Sequence, residues 1–240
     1  MNKIICAIDT NDLDKAKRIA SLIKEEVFAV KLGLEFFTSH GISGVQKVID
    51  LGTPVFLDLK LHDIPNTVAG AIKSCILGLD LSMLTIHITG GKTMLKTAVD
   101  ITQDTAWRIG HKKPLILGVT CLTSLDHNDL KDFGINNSIT DHIVDLARIG
   151  KDCGLDGVIC PAFEIEDIRQ HCGENFKIVV PGIRPKNYDS NDQKRFLTPK
   201  EAIKSGADYI VVGRPITQSS DPLKVIQEIN DEINSLDLAA

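Results

Sequence analysis

This sequence lacks long apolar runs, an excess of positive charge and closely spaced cysteine pairs. It contains no stretch of about 18 apolar residues, so we expect no membrane-spanning helix. Asp9 follows a single short apolar run, which leaves no room for the apolar core of a secretory signal peptide. Lysine and arginine number 27 against 32 aspartates and glutamates, a net charge of -5. We therefore expect neither nucleic acid nor a membrane as a partner, and an anionic ligand would need a local positive pocket.

The six cysteines include no C-x-x-C pair and no spacing typical of a secreted disulfide framework. This pattern predicts reduced, mostly buried thiols and a cytoplasmic location. Cys153, Cys160, His171 and Cys172 are close enough in sequence to suggest a metal site, but their spacing differs from that of zinc modules. The sequence therefore predicts no metal site.

The composition is that of an ordinary folded domain. Apolar residues make up 43% of the chain and charged residues 25%, which excludes a disordered or fibrous class. The length of 240 residues suits one domain, because α/β barrels often reach about 200 to 250 residues as a single unit. We therefore expect a single domain over residues 1–240.

Short β-branched runs alternate with longer amphipathic segments along the whole chain. This alternation is typical of βα units around a parallel sheet, and eight units predict a (β/α)8 TIM barrel. Asp12 and Pro65 predict helix starts, and Gly154, Gly173 and Gly206 predict helix ends. The predicted strands are residues 4–8, 28–31, 55–60, 83–87, 115–120, 157–160, 178–181 and 209–213.

A doubly wound sheet would show the same alternation of strands and helices, so the polar residues must distinguish the two folds. Charged side chains follow the first, second, third, seventh and eighth predicted strands. A barrel builds its active site from many such carboxyl ends, whereas a doubly wound sheet concentrates them at one switch point. The distribution favours the barrel. Residues 182–197, which lack periodicity, are predicted to form a functional loop.

Asp58 and Lys60 end the third predicted strand. Because side chains alternate along a strand, both are expected to project to the same side. Lys31 and Asp9 supply another cation and another carboxylate at the ends of the second and first strands. A salt bridge at the rim of the barrel would explain one such pair, but charged groups on three successive strand ends favour an active site.

A second group of residues follows the seventh and eighth strands, where barrels frequently bind phosphate. Gly182 and Gly213 permit close backbone approach, and Arg184 and Arg214 offer guanidinium groups that suit a phosphate dianion. Gln193, within the long loop, could donate an amide hydrogen bond to the same phosphate.

Two further polar groups have weaker interpretations. The segment 120–124, which contains Thr123 and Ser124, could bind a polar ring edge or could cap the following helix, and the residues alone leave both open. His62 and His87 show no evident catalytic partner, so we interpret both as hydrogen-bonded structural residues.

Several motifs in register now resemble one known family, orotidine 5′-phosphate decarboxylase, in its bacterial branch. The resemblance covers the whole barrel. The motifs are Ala7-Ile8-Asp9, Val30-Lys31-Leu32-Gly33, Asp58-x-Lys60-x-x-Asp63-Ile64-Pro65-Asn66-Thr67, Leu122-Thr123-Ser124, Pro181-Gly182-Ile183-Arg184, Asp192-Gln193 and Val212-Gly213-Arg214-Pro215-Ile216.

The resemblance implies a carbon-carbon lyase that converts orotidine 5′-monophosphate to UMP and carbon dioxide without a metal or organic cofactor. Lys60 would stabilise and protonate the carbanion at C6. Asp58 would lie beside the departing carboxylate, and Lys31 would complete the charge array. Asp9, with Lys31, would hold the ribose.

The resemblance also assigns the remaining substrate contacts. Thr123 and Ser124 would meet the pyrimidine, and the phosphate would be held by Arg184, Gln193, Gly213 and Arg214. It further implies a homodimer with composite sites, in which Asp63 and Thr67 reach the site of the other subunit. Ile88 departs from the family pattern, which has a small residue after the histidine.

Three other functions fit part of the sequence. A magnesium-dependent sugar-phosphate decarboxylase, such as 3-keto-L-gulonate 6-phosphate decarboxylase, shares the Asp-x-Lys-x-x-Asp string, but Lys31 stands where that group has a carboxylate. An aldolase would need a neutral Lys60, whereas Asp58 and Asp63 favour the charged form. A phosphate-binding module without catalysis would not need the charge array.

Overall fold

The structure, a computed structural model, describes residues 2–185 and 197–235. Eight parallel strands form a closed barrel in which each strand pairs with its neighbours in chain order and the eighth strand pairs with the first. This confirms the predicted (β/α)8 barrel. The strands are β1 (Ile4–Ala7), β2 (Ala29–Gly33), β3 (Val55–Leu61), β4 (Met83–His87), β5 (Leu115–Val119), β6 (Gly157–Ile159), β7 (Lys177–Pro181) and β8 (Tyr209–Val212).

Each predicted strand overlaps an observed one. The largest difference is at β2, which ends at Gly33 rather than at residue 31. The helices are α1 (Leu13–Ile23), α2 (Leu34–Ile49), α3 (Pro65–Gly78), α4 (Lys92–Ile109), α5 (His127–Asp132), α6 (Ile139–Asp152), α7 (Ile165–Cys172), α8 (Pro199–Lys204), α9 (Arg214–Thr217) and α10 (Pro222–Asn234), with 3-10 turns at Ile88–Gly90 and Ala162–Glu164.

Local sequence signals explain where several helices begin and end. The Asp12 carboxylate accepts a hydrogen bond from the backbone N–H of Lys15 at 2.9 Å and so caps α1. Pro65 occupies the first turn of α3, where its missing N–H costs nothing. Gly154, Gly173 and Gly206 follow α6, α7 and α8 with positive φ angles, a conformation that favours glycine. The helix starts and ends predicted at these residues are confirmed.

Apolar side chains form two concentric layers. The larger layer lies between the strands and the surrounding helices, and β-strand residues such as Ile4, Leu32 and Leu57 contribute to it. The smaller layer fills the interior of the barrel. Its buried members are Ile5, Ala7, Ala29, Phe56, Met83, Leu117, Val119, Ile159, Val179 and Val211. Because residues alternate along a strand, the positions two residues beyond Ala29 and Phe56 face the same interior.

Two aspartates stabilise the amino-terminal end of the barrel through hydrogen bonds and ion pairs. The Asp208 carboxylate, just before β8, accepts hydrogen bonds from Arg169 Nη2 at 2.7 Å, Lys177 Nζ at 2.8 Å and the backbone N–H of Ile178 at 2.9 Å. Asp156, just before β6, binds Lys113 Nζ and a backbone N–H of β5 in the same manner. These contacts lie at the opposite end from the charged motifs, so they serve stability.

Within the part of the chain that the structure describes, no helix has both the length and the apolar character needed to cross a membrane.

Candidate active site

A cavity of about 310 Å³ opens at the carboxyl-terminal end of the barrel. The carboxyl ends of parallel strands meet there, which is where barrels carry their active sites. Apolar side chains of the inner layer form its floor, and charged side chains surround them. The lining residues are Ala7, Asp9, Lys31, Phe56, Asp58, Lys60, Val119, Cys121, Leu122, Thr123, Ile159, Cys160, Pro181, Gly182, Arg184, Val211, Gly213 and Arg214.

Four charged side chains of alternating sign form a continuous array on one side of the cavity. Lys31 Nζ lies 3.4 Å from Asp9 Oδ1 and 3.4 Å from Asp58 Oδ2. Lys60 Nζ donates to both Asp58 oxygens, at 3.0 and 2.9 Å. The strand ends therefore bring together the four residues that the sequence grouped. Side-chain exposure is 64% for Asp9, 13% for Lys31, 11% for Asp58 and 32% for Lys60, so the array is most buried at Asp58.

Asp58 is the buried centre of this array. Burial disfavours its charged form, but the charges of Lys31 and Lys60, with hydrogen bonds from Lys60 and Thr85, outweigh that effect and lower the pKa of Asp58 below its ordinary value. The carboxylate is therefore ionised at neutral pH. The protein thus holds a negative charge at a desolvated position, and hydrogen bonds fix the orientation of the carboxylate.

The reason for the contact between Asp58 and Lys60 differs from the predicted one. The sequence predicts it from simple strand alternation. In the structure the register of β3 against β4 shifts between Leu57 and Leu61, and Lys60 has a φ of +49°. Lys60 is the one non-glycine residue with positive φ among residues 2–185 and 197–235. The pair therefore forms across a bulge, a feature that often redirects a side chain at an active site.

Thr85 is a site residue that the sequence analysis missed. It is fully buried on β4, and its hydroxyl donates to Asp58 Oδ1 at 2.9 Å and accepts from the backbone N–H of Lys60 at 2.8 Å. A single threonine inside an apolar strand gives no sequence signal of this kind. Only the observed register places its hydroxyl beside both charged residues.

The predicted phosphate contacts within the described residues lie at the ends of β7 and β8, and β8 pairs with β1, which precedes Asp9. Gly182 has a φ of +79°, a conformation that few other residues adopt without strain, and it brings the chain end of β7 to the cavity. Arg184 is only 6% exposed, and its backbone N–H donates to Leu197 O at 3.2 Å, which joins the two ends of the long loop. Gly213 and Arg214 face the cavity from the end of β8.

The other predicted contacts fall into three groups. Thr123 lines the cavity, whereas Ser124 is not among its lining residues. Asp63 and Thr67 are exposed and do not line the cavity of their own chain. Gln193 lies outside the described residues.

His62 and His87 stack on each other with ring centroids 5.2 Å apart. Thr89 Oγ1 and His87 Nδ1 lie 2.7 Å apart and share a hydrogen bond. Burial lowers the pKa of His87, and the charges of His62 and Lys60 lower it further, so its ring is neutral at pH 7. Neither ring lines the cavity. The structure thus supplies a hydrogen-bond partner for His87, as expected of a structural histidine.

Ile88, which departs from the family pattern, is buried to 1% exposure. A Cβ added to Gly118 would lie 2.6 Å from Ile88 Cγ1, and a Cβ added to Gly150 would lie 3.2 Å from Ile88 Cδ1. The larger side chain is therefore accommodated by two glycines outside the cavity.

Two cysteines that the sequence analysis did not assign to the site, Cys121 and Cys160, line the cavity. Burial raises the pKa of both thiols, and the nearby Glu164 carboxylate adds to the effect. Both thiols are therefore protonated, and they line the cavity without acting as nucleophiles. All six cysteines are free and buried, as predicted. Across the described ranges, no group of three or more His, Cys, Asp or Glu side chains is arranged to hold a metal ion.

Comparisons with known proteins agree with this geometry. A family model described as "Orotidine 5'-phosphate decarboxylase / HUMPS family" matches residues 2–229. An Ehrlichia canis protein named orotidine 5'-phosphate decarboxylase is 51% identical over 233 residues, which cover 97% of this chain and 98% of the relative. A protein of the same name from the Wolbachia of Culex pipiens is 52% identical over 222 residues, which cover 92% and 94% of the two chains.

The fold comparison gives the same family. The crystal structure of orotidine 5'-phosphate decarboxylase from Lactobacillus acidophilus superposes on this chain with a TM-score of 0.86 and 35% sequence identity. The match covers 98% of this chain and 100% of the other.

Proposed function

This chain belongs to the orotidine 5′-phosphate decarboxylase / HUMPS family, and from that premise we propose that it converts orotidine 5′-monophosphate to UMP and carbon dioxide, the last step of de novo pyrimidine synthesis. One observation carries the proposal. The array of Asp9, Lys31, Asp58 and Lys60 places a fixed carboxylate between two ammonium groups beside an apolar floor. Such an array suits a reaction in which one negative charge leaves and another develops nearby.

Lys60 is the proposed acid. When the bond between C6 and the carboxylate breaks, its electron pair stays on C6 and carbon dioxide departs. The Lys60 ammonium stabilises the developing carbanion, transfers a proton to C6 and recovers a proton from water. Its Nζ is held by both Asp58 oxygens, so it needs little reorganisation during the reaction. Preorganised charge of this kind is usually the largest single contribution to catalysis.

Asp58 is proposed to lie beside the substrate carboxylate before it departs. Because its pKa is lowered, it keeps its negative charge there. Repulsion between the two carboxylates is relieved when carbon dioxide leaves, but we assign more of the rate to stabilisation of the carbanion by Lys60. Lys31 holds Asp58 in place and, with the exposed Asp9, contacts the ribose.

The phosphate is proposed to bind at the ends of β7 and β8, at Arg184, Gly213 and Arg214, with Gln193 of the long loop as a further donor. Thr123 and Ser124 are proposed to contact the pyrimidine. The phosphate is remote from C6, so its binding energy can order the loop over the substrate and thereby raise the rate as well as the affinity. The hydrogen bond from Arg184 N to Leu197 O supports this role, because it holds the two loop ends together beside the cavity.

We also propose a homodimer with composite sites, in which Asp63, as a catalytic residue, and Thr67, as a substrate contact, reach the active site of the partner subunit. Both residues are exposed and neither lines the cavity of its own chain. Ile64 between them is 67% exposed, an unusual position for a large apolar side chain on a free surface. Burial against a second subunit would explain all three.

The cellular location and the cofactor requirement complete the proposal. The chain is proposed to act in the cytoplasm, because its six cysteines are free and buried, as is usual where thiols stay reduced. The reaction is proposed to need no cofactor. Magnesium-dependent sugar-phosphate chemistry receives no support, because the ammonium of Lys31 stands next to Asp58 where a hard cation would need an oxygen ligand.

The test is an assay of the purified chain with orotidine 5′-monophosphate, followed by ultraviolet absorbance, in the presence and absence of EDTA. We expect turnover that EDTA does not change. The matched control is 3-keto-L-gulonate 6-phosphate with added magnesium, which should not react. Decarboxylation of the sugar phosphate alone, or complete loss of activity with EDTA, would contradict the proposal.

A further inference from the structure

We propose that Thr85 is a positioning residue for the reaction: its hydroxyl holds both Lys60 and Asp58 in their working geometry without contacting the substrate. This inference rests on the proposed function. Thr85 lies in the barrel wall, where it is fully buried, and it is not among the residues that line the cavity.

The hydrogen-bonded ladder between β3 and β4 is interrupted at the site. Leu57 pairs with Leu84 and Leu61 pairs with Ile86, so residues 58–60 of β3 stand opposite Thr85 alone. Backbone groups of a bulge lose their regular partners. The N–H of Lys60 instead donates to the Thr85 hydroxyl at 2.8 Å. A side-chain oxygen therefore takes the place of a main-chain carbonyl at this point of the sheet.

Lys60 adopts an unusual backbone conformation. A φ of +49° is unfavourable for a lysine and persists only where neighbouring contacts hold it. The Lys60 side chain is 32% exposed, so packing around its aliphatic part is incomplete. The hydrogen bond from its N–H to Thr85 fixes the backbone from which the ammonium is directed.

The hydroxyl of Thr85 forms a second hydrogen bond, to Asp58. Thr85 Oγ1 donates to Asp58 Oδ1 at 2.9 Å, and the same carboxylate accepts from Lys60 Nζ. A hydroxyl can accept one hydrogen bond while it donates another, which neither an amide N–H nor a carbonyl can do. One buried group thus links the backbone of the proposed acid to the carboxylate that holds its ammonium.

The burial of Thr85 also makes the loss of its hydroxyl costly. Thr85 has no exposed surface, and Met83 of the same strand is likewise buried in the inner layer. Removing the hydroxyl leaves a backbone N–H and a carboxylate oxygen each without this partner in a buried site. The bulge is then expected to relax, and Lys60 Nζ to move relative to C6.

The experiment compares Thr85→Val, which keeps the shape and removes the hydroxyl, with Thr85→Ser, which keeps the hydroxyl. We expect Thr85→Val to lower kcat about 10- to 100-fold, because small displacements of a catalytic group have effects of that size. The inhibition constant of UMP should change little, since the phosphate contacts lie at the ends of β7 and β8. Thr85→Ser should recover most of the lost kcat.

The matched control is Thr102→Val, because Thr102 is also fully buried but its hydroxyl donates within α4, to Ala98 O. It should keep the kcat of the wild type. Active sites are counted by UMP binding, so that a loss of folded protein does not register as a loss of kcat. If Thr85→Val does not fold, Thr85→Ala removes the same hydroxyl without placing a methyl group against the Asp58 carboxylate, and it decides the question.

A wild-type kcat in folded Thr85→Val or Thr85→Ala would overturn the proposal, as would a Thr85→Ser variant no better than Thr85→Val. A structural readout separates this proposal from the proposed function. If the wild type does not decarboxylate orotidine 5′-monophosphate, the function is wrong, and the crystal structure of the hydroxyl-free variant still tests Thr85. Residue 60 should leave the positive φ region there, and an unchanged φ with an unchanged Lys60 to Asp58 distance would overturn the inference.

Discussion

The side chain of Ile88 occupies the space where Gly118 would carry a Cβ, since an added Cβ would lie 2.6 Å from Ile88 Cγ1. The departure of Ile88 from the family pattern is thus paired with a glycine on the next strand. Ile88→Ala should lower the free energy of unfolding by about 2 to 5 kcal/mol, because it leaves a cavity in a closely packed layer. Urea unfolding measures the change, and kcat should stay at the wild-type value.

The exposed Leu22 on α1 provides the control, because Leu22→Ala should change the free energy of unfolding by less than about 0.5 kcal/mol. Gly118→Ala should also destabilise the wild type, and the double variant Ile88→Ala with Gly118→Ala should be more stable than the sum of the two effects predicts. Strict additivity would contradict the contact between the two positions.

Asp208 gives the fold a pH-dependent contribution. Burial opposes its charged form, but hydrogen bonds from Lys177, Ile178 and Arg169 outweigh burial and lower the pKa of Asp208. A lowered pKa contributes stability above the ordinary aspartate range, and that stability is lost as the pH falls through the folded-state pKa. Asp208→Asn should therefore cost about 3 kcal/mol at pH 7. The difference from the wild type should shrink below about pH 4.

Urea unfolding at a series of pH values tests this expectation. Asp104→Asn is the control, because Asp104 forms an exposed pair with Arg108 on α4. That variant should cost less than about 1 kcal/mol at either pH. An Asp208→Asn penalty that is constant with pH would show that the carboxylate charge does not contribute.

Arg214 tests the role of the phosphate. Arg214→Ala should lower kcat/KM for orotidine 5′-monophosphate about 10- to 150-fold, since hydrogen bonds to a charged group contribute about 1.5 to 3 kcal/mol each. Part of the loss should appear in kcat, because phosphate binding also orders the loop. Orotidine, which lacks the phosphate, should react far more slowly even at saturation. Arg148→Ala, at an exposed ion pair on α6, should have no effect.

An Arg214→Ala enzyme with unchanged kcat/KM would remove Arg214 from the site. If the loss of the phosphate raised KM alone, binding energy would not be used for loop closure.

The composite site is tested by mixing two inactive variants, Lys60→Ala and Asp63→Ala. In a heterodimer, one site lacks both groups and the other is intact. Random exchange gives about half heterodimers, so activity should recover to about a quarter of the wild-type value. Exchange is verified by differently tagged subunits. Absence of recovery after verified exchange would place Asp63 in the site of its own chain.

Much of this account could be predicted from the sequence, because the barrel is encoded locally. β-branched runs, Asp12 at a helix start and glycines at helix ends all act within a few residues, and the strands they predict match the structure. The charged strand ends converge as predicted, since closing a barrel brings Asp9, Lys31 and Asp58 together.

The contributions of Thr85, Cys121 and Cys160 to the site could not be predicted in the same way. Thr85 and Cys160 are small and lie in runs that read as ordinary buried strand, and Cys121 lies in the segment 120–124, where only Thr123 and Ser124 were predicted to contact the ligand. The contacts of Thr85 depend on the register between β3 and β4 and on the bulge at Lys60, which are set by packing of the whole barrel. Ile88 was identified as a departure, but the glycines that accommodate it lie far from it in sequence.

The central claim is that the Lys60 ammonium stabilises and protonates C6, and kcat of Lys60→Ala with orotidine 5′-monophosphate tests it most directly. Lys113→Ala is the matched control, because Lys113 forms a comparable ion pair with Asp156 at the opposite end of the barrel, with a similarly exposed side chain. Circular dichroism and UMP binding establish that each variant is folded. We expect Lys60→Ala to lose at least about 10³-fold in kcat, Lys60→Arg to remain as inactive, and Lys113→Ala to keep the wild-type rate. A folded Lys60→Ala enzyme with near-normal kcat would contradict the mechanism.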